Sequence, residues 1–83
     1  MSTVYFLPKS EKDFARLPKK EKVKIEKVIK GISQNPFVGK KLGGELLGLY
    51  VARAWPYRIL YKFEKTFKAV IIVHILHRQE AYK

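Results

Sequence analysis

Eight cationic and aromatic side chains in the second half of the chain are of the types that handle RNA. Arg and Lys bind phosphate oxygens, and flat side chains bind unstacked bases. RNA carries its own nucleophile, the 2′-hydroxyl, so a nuclease must hold the backbone in line, neutralise charge on phosphorus and protonate the leaving oxygen. Arg suits the second task, and His or Tyr suits the third. The set is Arg53, Tyr57, Arg58, Tyr61, Lys62, His77, Arg78 and Tyr82.

The same side chains also have a purely structural interpretation. Arginines in strands often cover a sheet face with their aliphatic stems, and tyrosines at every second position often serve packing. From these residues alone, a nuclease and a passive RNA-binding domain both stay open.

Composition narrows the class of protein. Eighteen Lys and Arg against seven Asp and Glu give the 83 residues a net charge of +11, while 47% of the residues are apolar. That apolar fraction suffices for a core, so a disordered polycation is not expected, and the length predicts one domain over residues 1–83. Without cysteine, the chain has no disulfide, thiolate zinc site or cysteine nucleophile.

Other classes of site and location are also disfavoured. There is no glycine-rich phosphate loop ending in Lys-Ser or Lys-Thr, and no serine lies in a nucleophile elbow. His74 and His77 are three residues apart, which on a strand places them on opposite faces, so no metal site is predicted and no cofactor is expected. The longest apolar run, residues 69–73, is too short for a bilayer, and no signal peptide is recognised. We expect no membrane association and a cytoplasmic location.

The elements that position these residues begin with a strand and two helices. Residues 3–7 are β-branched and aromatic, which favours a short strand ended by Pro8. The Ser-x-x-acid pattern of residues 10–13 predicts the start of a first helix, which Pro18 closes. Residues 19–34 carry apolar side chains at i, i+3, i+4 and i+7, which predicts an amphipathic helix. No single lysine on it, Lys24 included, is expected to hold a defined geometry.

The second half of the chain is predicted to form three strands. Residues 37–48 contain four of the five glycines and the pair Lys40 and Lys41, which is typical of a basic loop. The period then changes to two over residues 47–53, and a turn at residues 54–56 leads into a second strand at 57–63. A polar loop and a final strand at residues 69–76 follow.

The order β-α-α-β-β-β predicts an α+β fold with a helical hairpin packed on one face of a small, mainly antiparallel sheet. Within residues 57–63, one side of the strand carries Tyr57, Ile59, Tyr61 and Phe63. If this side packs on the helices, Arg58 and Lys62 lie on the open face.

Four motifs resemble those of the RelE/ParE superfamily of bacterial and archaeal toxins. They are Asn-Pro-Phe-x-Gly-Lys at 35–40, Gly-Leu-Tyr-x-x-Arg at 48–53, Tyr-Arg-Ile-Leu-Tyr at 57–61 and His-Arg-x-x-x-Tyr at 77–82. They occur in the order that the family shows, and the predicted element order matches the family fold. The resemblance covers nearly the whole chain.

The resemblance implies the toxin of a toxin–antitoxin pair. In the RelE branch it implies a ribosome-dependent endonuclease that cuts mRNA in the ribosomal A site. By position, Arg58 matches the strand arginine that stabilises the phosphate in the transition state, and Arg78 and Tyr82 match the arginine and tyrosine of the last motif. His77 fits the family's His-Arg pair, as an acid or as a packing residue.

The resemblance also implies contacts to RNA and to a partner. Arg53 matches a position that contacts the substrate backbone, and the predicted RNA-binding set adds Lys40, Lys41 and Lys62. The partner implied is an acidic antitoxin protein, beside the ribosome and mRNA. No metal or cofactor is implied.

Four residues depart from the nuclease pattern. Leu49 and Val51 stand where well-known nuclease members carry catalytic lysines, so no general base is assigned. Trp55-Pro56 replaces the usual Gly-Asp turn. The ParE branch shares the fold but poisons DNA gyrase, so a gyrase inhibitor without nuclease activity is the alternative.

Overall fold

Two helices pack on one face of a mixed five-stranded sheet. A computed structural model describes residues 1–81, with side chains to residue 79. The elements are β1 (Thr3–Phe6), α1 (Pro8–Ala15), α2 (Lys19–Gln34), β2 (Lys40–Lys41), a 3₁₀ turn (Gly44–Leu46), β3 (Tyr50–Ala54), β4 (Tyr57–Glu64), β5 (Ala69–His77) and α3 (Arg78–Ala81). The sheet order is β1-β5-β4-β3-β2, with β1 parallel to β5 and the other pairings antiparallel. This confirms the predicted α+β architecture.

The apolar stripe of α2 forms the helical side of the core. Ile25 and Ile32 are completely buried, and Ile29 is nearly so. They pack with Ile59 and Tyr61, which alternate along β4 and are also completely buried. The side of β4 predicted to face the helices therefore does so.

Helix α1 begins earlier than the sequence predicted and is joined to β5 by polar side chains. Pro8 lies in its first turn, where a missing N–H costs nothing, and Leu7 is the N-cap. Ser10, predicted to be the cap, instead lies inside the helix with its hydroxyl 2.6 Å from the carbonyl oxygen of Ile72 and 3.0 Å from that of Leu7. Since β1 ends opposite Ile72, α1 continues the hydrogen bonding along that edge of β5.

The predicted loop at residues 37–48 contains two short elements. Lys40 and Lys41 pair with Val51 and Tyr50, which makes them an edge strand. Strand β3 begins at Tyr50 rather than at position 47, because Gly48 has a φ of +93°, a conformation that interrupts an extended strand. At the other end of the sheet, β5 runs to His77, and α3 follows it where only a tail was predicted.

No helix within residues 1–81 is long and apolar enough to cross a membrane.

Asp13 links α1 to the part of β5 that extends beyond the end of β1. Its carboxylate accepts hydrogen bonds from Lys9 Nζ at 2.9 Å and from the Ile75 N–H at 3.1 Å, and it contacts His74 Nδ1 at 2.5 Å. Partial burial alone would raise the pKa of Asp13, but the hydrogen bonds from Lys9, Ile75 and His74 together lower it below the ordinary 3.8. The ionised carboxylate therefore stabilises the folded protein.

We expect Asp13→Asn to lower the free energy of unfolding by about 1–2 kcal/mol near neutral pH, since it weakens hydrogen bonds to a charged acceptor. The folded-state pKa of Asp13 lies below its unfolded value, so this stabilisation is fully present above about pH 4 and is lost as the pH falls through the lowered pKa. Thermal denaturation of both proteins from about pH 6 to about pH 3 measures it. A difference in melting temperature that stays constant over this range would contradict the assignment.

Candidate functional site

Arg53 and Arg58 lie directly opposite each other on the sheet face that the helices leave uncovered. They are register partners in β3 and β4. Their neighbours Ala52 and Ile59, one position away on each strand, point into the core. Since successive side chains on a strand alternate, both arginines lie on the opposite face. Arg53 is exposed and Arg58 is half-buried.

The three predicted RNA-binding lysines are divided between the two faces. Lys40 pairs with Val51, two residues before Arg53, and therefore shares the arginine face. Lys41 pairs with Tyr50 and lies on the helical face. Lys62 is on the arginine face, but it is four residues from Arg58, about 13 Å along β4. Only Lys40 is close enough to join the arginines.

One groove is lined by Lys40, Arg53 and Arg58 together. It has a volume of about 660 Å³, and its lining also includes Val51, together with Val28 and Gly31 of α2. A second groove, of about 740 Å³, lies between the helices and β1 and contains none of the predicted site residues. The cationic groove can hold a phosphate and offset negative charge on it.

Arg78 lies at the end of the sheet, against the β3–β4 turn. Its backbone N–H donates to the Pro56 carbonyl oxygen at 2.8 Å, and its guanidinium lies 5.1 Å from the centre of the Trp55 ring. Sequence patterns predicted Arg78 as a site residue but did not predict Trp55. A signal was present, because Trp55 precedes a proline in a predicted turn, and turns generally lie at the protein surface.

His77 lies on the opposite face of the sheet from Arg58. It pairs with Tyr57, and the two rings meet edge to face at 5.4 Å. Its Nδ1 accepts a hydrogen bond from the Gln79 N–H at 3.3 Å. His74 pairs with Leu60 and is on the arginine face, so the two histidines do lie on opposite faces as predicted. The structure thus gives His77 a packing contact and does not place it beside Arg58.

Tyr82, the remaining predicted site residue, lies outside the described residues. Among the side chains that the structure describes, no group of three or more His, Asp or Glu is arranged to hold a metal ion.

Lys24 holds a defined position, contrary to the expectation for the lysines of α2. Its Nζ donates to the Trp55 carbonyl oxygen at 2.8 Å and to Glu21 Oε2 at 3.2 Å. The expectation failed because the contact joins residues 31 apart in sequence, which helical periodicity does not reveal. Lys24 fixes the β3–β4 turn relative to α2.

Comparison with known proteins identifies the family. The family described as the ParE toxin of the type II toxin–antitoxin system, parDE, matches residues 4–82. The chain belongs to this family. It is a toxin of the RelE/ParE superfamily, as the four motifs indicated, and two curated relatives from Mycobacterium tuberculosis agree. Toxin RelG is 32% identical over 83 residues, covering 98% of this chain and 95% of the relative. Toxin RelE is 35% identical over 74 residues, covering 87% and 76%.

Solved structures show that this RelE/ParE toxin shares its fold with others. A chain of the RelBE2 toxin–antitoxin complex from M. tuberculosis superposes with a TM-score of 0.85 at 32% identity, covering 93% of this chain and 98% of that one. The isolated E. coli RelE toxin gives a TM-score of 0.82 at 17% identity, covering 99% and 92%. At 17% identity, the similarity to E. coli RelE shows a shared fold only.

Proposed function

We propose that the toxin is a ribosome-dependent endonuclease that cleaves mRNA in the ribosomal A site. In this reaction the 2′-oxygen forms a bond to phosphorus while the bond from phosphorus to the 5′-oxygen breaks. The 2′-hydroxyl loses a proton, and the leaving 5′-oxygen gains one. The proposal uses no metal ion and no cofactor.

The observation that carries the proposal is the pairing of Arg53 and Arg58 in a groove with Lys40. Negative charge grows on the phosphate oxygens as the 2′-oxygen attacks, and preorganised cations near that position lower the barrier. The half-buried Arg58 is assigned to this charge, since a guanidinium grips two phosphate oxygens at once. The more exposed Arg53 is assigned to the RNA backbone.

The general acid is assigned only to a segment of the chain, and the general base is not assigned. His77 faces away from Arg58, so we assign the proton donor to the C-terminal segment with Arg78 and Tyr82 rather than to His77. Val51 lines the groove, at a position where the family resemblance implies a catalytic lysine in nuclease members. No general base is assigned among the described residues.

The second candidate is inhibition of DNA gyrase without nuclease activity. It is favoured by the matching family, which is named for ParE, and by the apolar Val51 in the groove. A protein that binds gyrase does not need a catalytic lysine.

Two assays on the purified toxin distinguish the candidates. The first incubates it with ribosomes that hold a defined mRNA and maps cleavage by primer extension, with the same mRNA free of ribosomes as the control. The second measures DNA supercoiling by gyrase. Cleavage at codon positions only on the ribosome supports the endonuclease, whereas intact mRNA and blocked supercoiling would replace it with the gyrase inhibitor.

An acidic antitoxin is the proposed partner, and a cytoplasmic complex is the proposed resting state. The net charge of +11 favours association with a negatively charged chain. Solved relatives include toxin–antitoxin complexes, among them the archaeal RelE–RelB complex from Pyrococcus horikoshii. We expect the antitoxin segment to be disordered alone and to wrap the toxin as a helix or an added strand.

A further inference from the structure

Trp55 is a large aromatic side chain held outside the core. It is the only tryptophan of the chain, it forms the β3–β4 turn with Pro56, and it is 62% exposed. Exposed single apolar residues are common, but an exposed tryptophan beside clustered cations is a feature of surfaces that bind single-stranded RNA. The position of Trp55 therefore suggests a role in binding.

The turn that carries Trp55 is fixed from two sides. Lys24 of α2 donates to the Trp55 carbonyl oxygen at 2.8 Å, and the Arg78 N–H donates to the Pro56 carbonyl oxygen at 2.8 Å. A fixed backbone reduces the conformational entropy that the indole loses on binding a ligand.

One face of the indole ring is already covered. The guanidinium of Arg78 lies 5.1 Å from the ring centre, in cation–π contact. The Trp55 residue is nevertheless 62% exposed, so the cation leaves much of its surface in contact with solvent. A flat ring that carries a cation and keeps this much solvent-exposed surface is suited to a second flat group.

We propose that Trp55 is a stacking platform for an unpaired base of the RNA whose phosphate lies between Arg53 and Arg58. Trp55 is two residues from Arg53, about 7 Å along an extended strand, and three from Arg58. An RNA strand held at the arginines can place a neighbouring base on the indole, with Arg78 on its far side. This inference rests on the proposed function, because it takes RNA as the substrate.

The fluorescence of the single tryptophan reports on stacking directly. The probe is a short single-stranded oligonucleotide in which every sugar is 2′-O-methylated, so that it has no 2′-hydroxyl and is not cleaved. The control ligand has the same backbone and charge but abasic sites in place of bases. We expect the full probe to quench the emission of Trp55 and the abasic probe to bind about tenfold more weakly without quenching it.

Matched variants test the same point by affinity. Trp55→Leu removes the flat ring and should weaken binding of the full probe about tenfold, without changing the affinity for the abasic probe. Trp55→Phe retains a ring and should recover part of the loss. Phe67→Leu is the control, because Phe67 is also an exposed aromatic residue and lies in the β4–β5 loop, at the opposite end of β4. Melting temperatures show whether each variant is folded.

The outcomes separate this inference from the proposed function. Absence of quenching, no binding of the probe, or equal affinity of wild type and Trp55→Leu would overturn the platform, even if mRNA is cleaved on ribosomes. Quenching together with weakened binding by Trp55→Leu supports it, even if programmed ribosomes keep their mRNA intact and the endonuclease proposal fails.

Discussion

Arg58→Ala is expected to lower the rate of mRNA cleavage on the ribosome about 10²–10³-fold, the usual cost of losing one preorganised donor to a charged transition state. The side chain lies on the sheet face opposite the core, with Arg53 as its register partner. The melting temperature should therefore change little. Single-turnover cleavage of ribosome-bound mRNA measures the rate, and growth arrest on expression should be lost in parallel.

Two further variants show whether the loss of activity in Arg58→Ala comes from the position of the side chain or only from its charge. Arg16→Ala removes the same side chain and the same unit of charge, but Arg16 is exposed just after α1, on the helical side of the molecule. It should cleave nearly as fast as wild type. Arg58→Lys keeps the charge but cannot grip two phosphate oxygens at once, so it should recover only part of the rate. Full activity in a folded Arg58→Ala protein would remove Arg58 from the catalytic set.

The second large effect concerns Tyr61, which is completely buried in β4. Its ring stacks on Tyr50 at 5.5 Å. Its hydroxyl donates to the Pro36 carbonyl oxygen at 2.8 Å and accepts the Gly39 N–H at 2.9 Å. Burial raises the pKa of Tyr61, so the hydroxyl stays protonated and able to donate. These contacts join the core to the segment that leads into β2.

We expect Tyr61→Ala to lower the free energy of unfolding by about 3–5 kcal/mol, since it leaves a cavity and two unpaired backbone groups. That is a large part of the total stability of a small protein. Tyr61→Phe keeps the ring, so no cavity forms, and it should lower the free energy of unfolding by only about 1–2 kcal/mol. Urea denaturation followed by tryptophan fluorescence measures both.

Tyr5→Phe is the control for these stability measurements, because Tyr5 is 57% exposed. Removing its hydroxyl should change stability by less than about 0.5 kcal/mol. If Tyr61→Phe were no less stable than this control, the bonds to Pro36 and Gly39 would not contribute to stability.

Gly39 explains why this segment approaches Tyr61 so closely. A Cβ at this position would lie 2.6 Å from the Tyr61 hydroxyl oxygen and 2.8 Å from the Val51 carbonyl oxygen. Only glycine leaves room for the hydrogen bond to Tyr61 and for the entry into β2, which places Lys40 in the cationic groove.

Local periodicity was enough to predict the main elements and the buried side of the sheet. The spacing in α2 and the alternation of Ile59 and Tyr61 in β4 both depend on neighbours in the chain. The same alternation correctly placed Arg58 on the face away from the helices. These features need no knowledge of which strands pair.

Features that depend on distant partners could not be predicted in the same way. Lys40 and Lys41 become a strand only because β3 is beside them. Ser10 leaves its predicted capping role because the Ile72 carbonyl is within reach. The contacts of Trp55 with Lys24 and Arg78 also join residues that are far apart in sequence.

The sheet face on which His77 lies depends on a register shift between β4 and β5 that the sequence does not show. Tyr61 pairs with Ile72 but Leu60 pairs with His74, so Val73 is an extra residue in β5. Without that bulge, every later side chain of β5 would change face, and His77 would share the face of Arg58. The bulge turns Ile75 into the core and His77 toward Tyr57.

The strand order β1-β5-β4-β3-β2 affects when the protein can fold during its synthesis. The ribosome makes β1 first, yet its only partner in the sheet is β5, which follows every other strand in the chain. Thr3 and its register partner Ala69 are 66 residues apart in the chain, and synthesis of this length takes about 3–13 s at usual rates of elongation. Until then Val4 and Phe6 have no strand to pack beside, and the position between β1 and β4 in the sheet is empty. Any activity that needs the complete five-stranded sheet therefore begins only after residue 77 has left the ribosome.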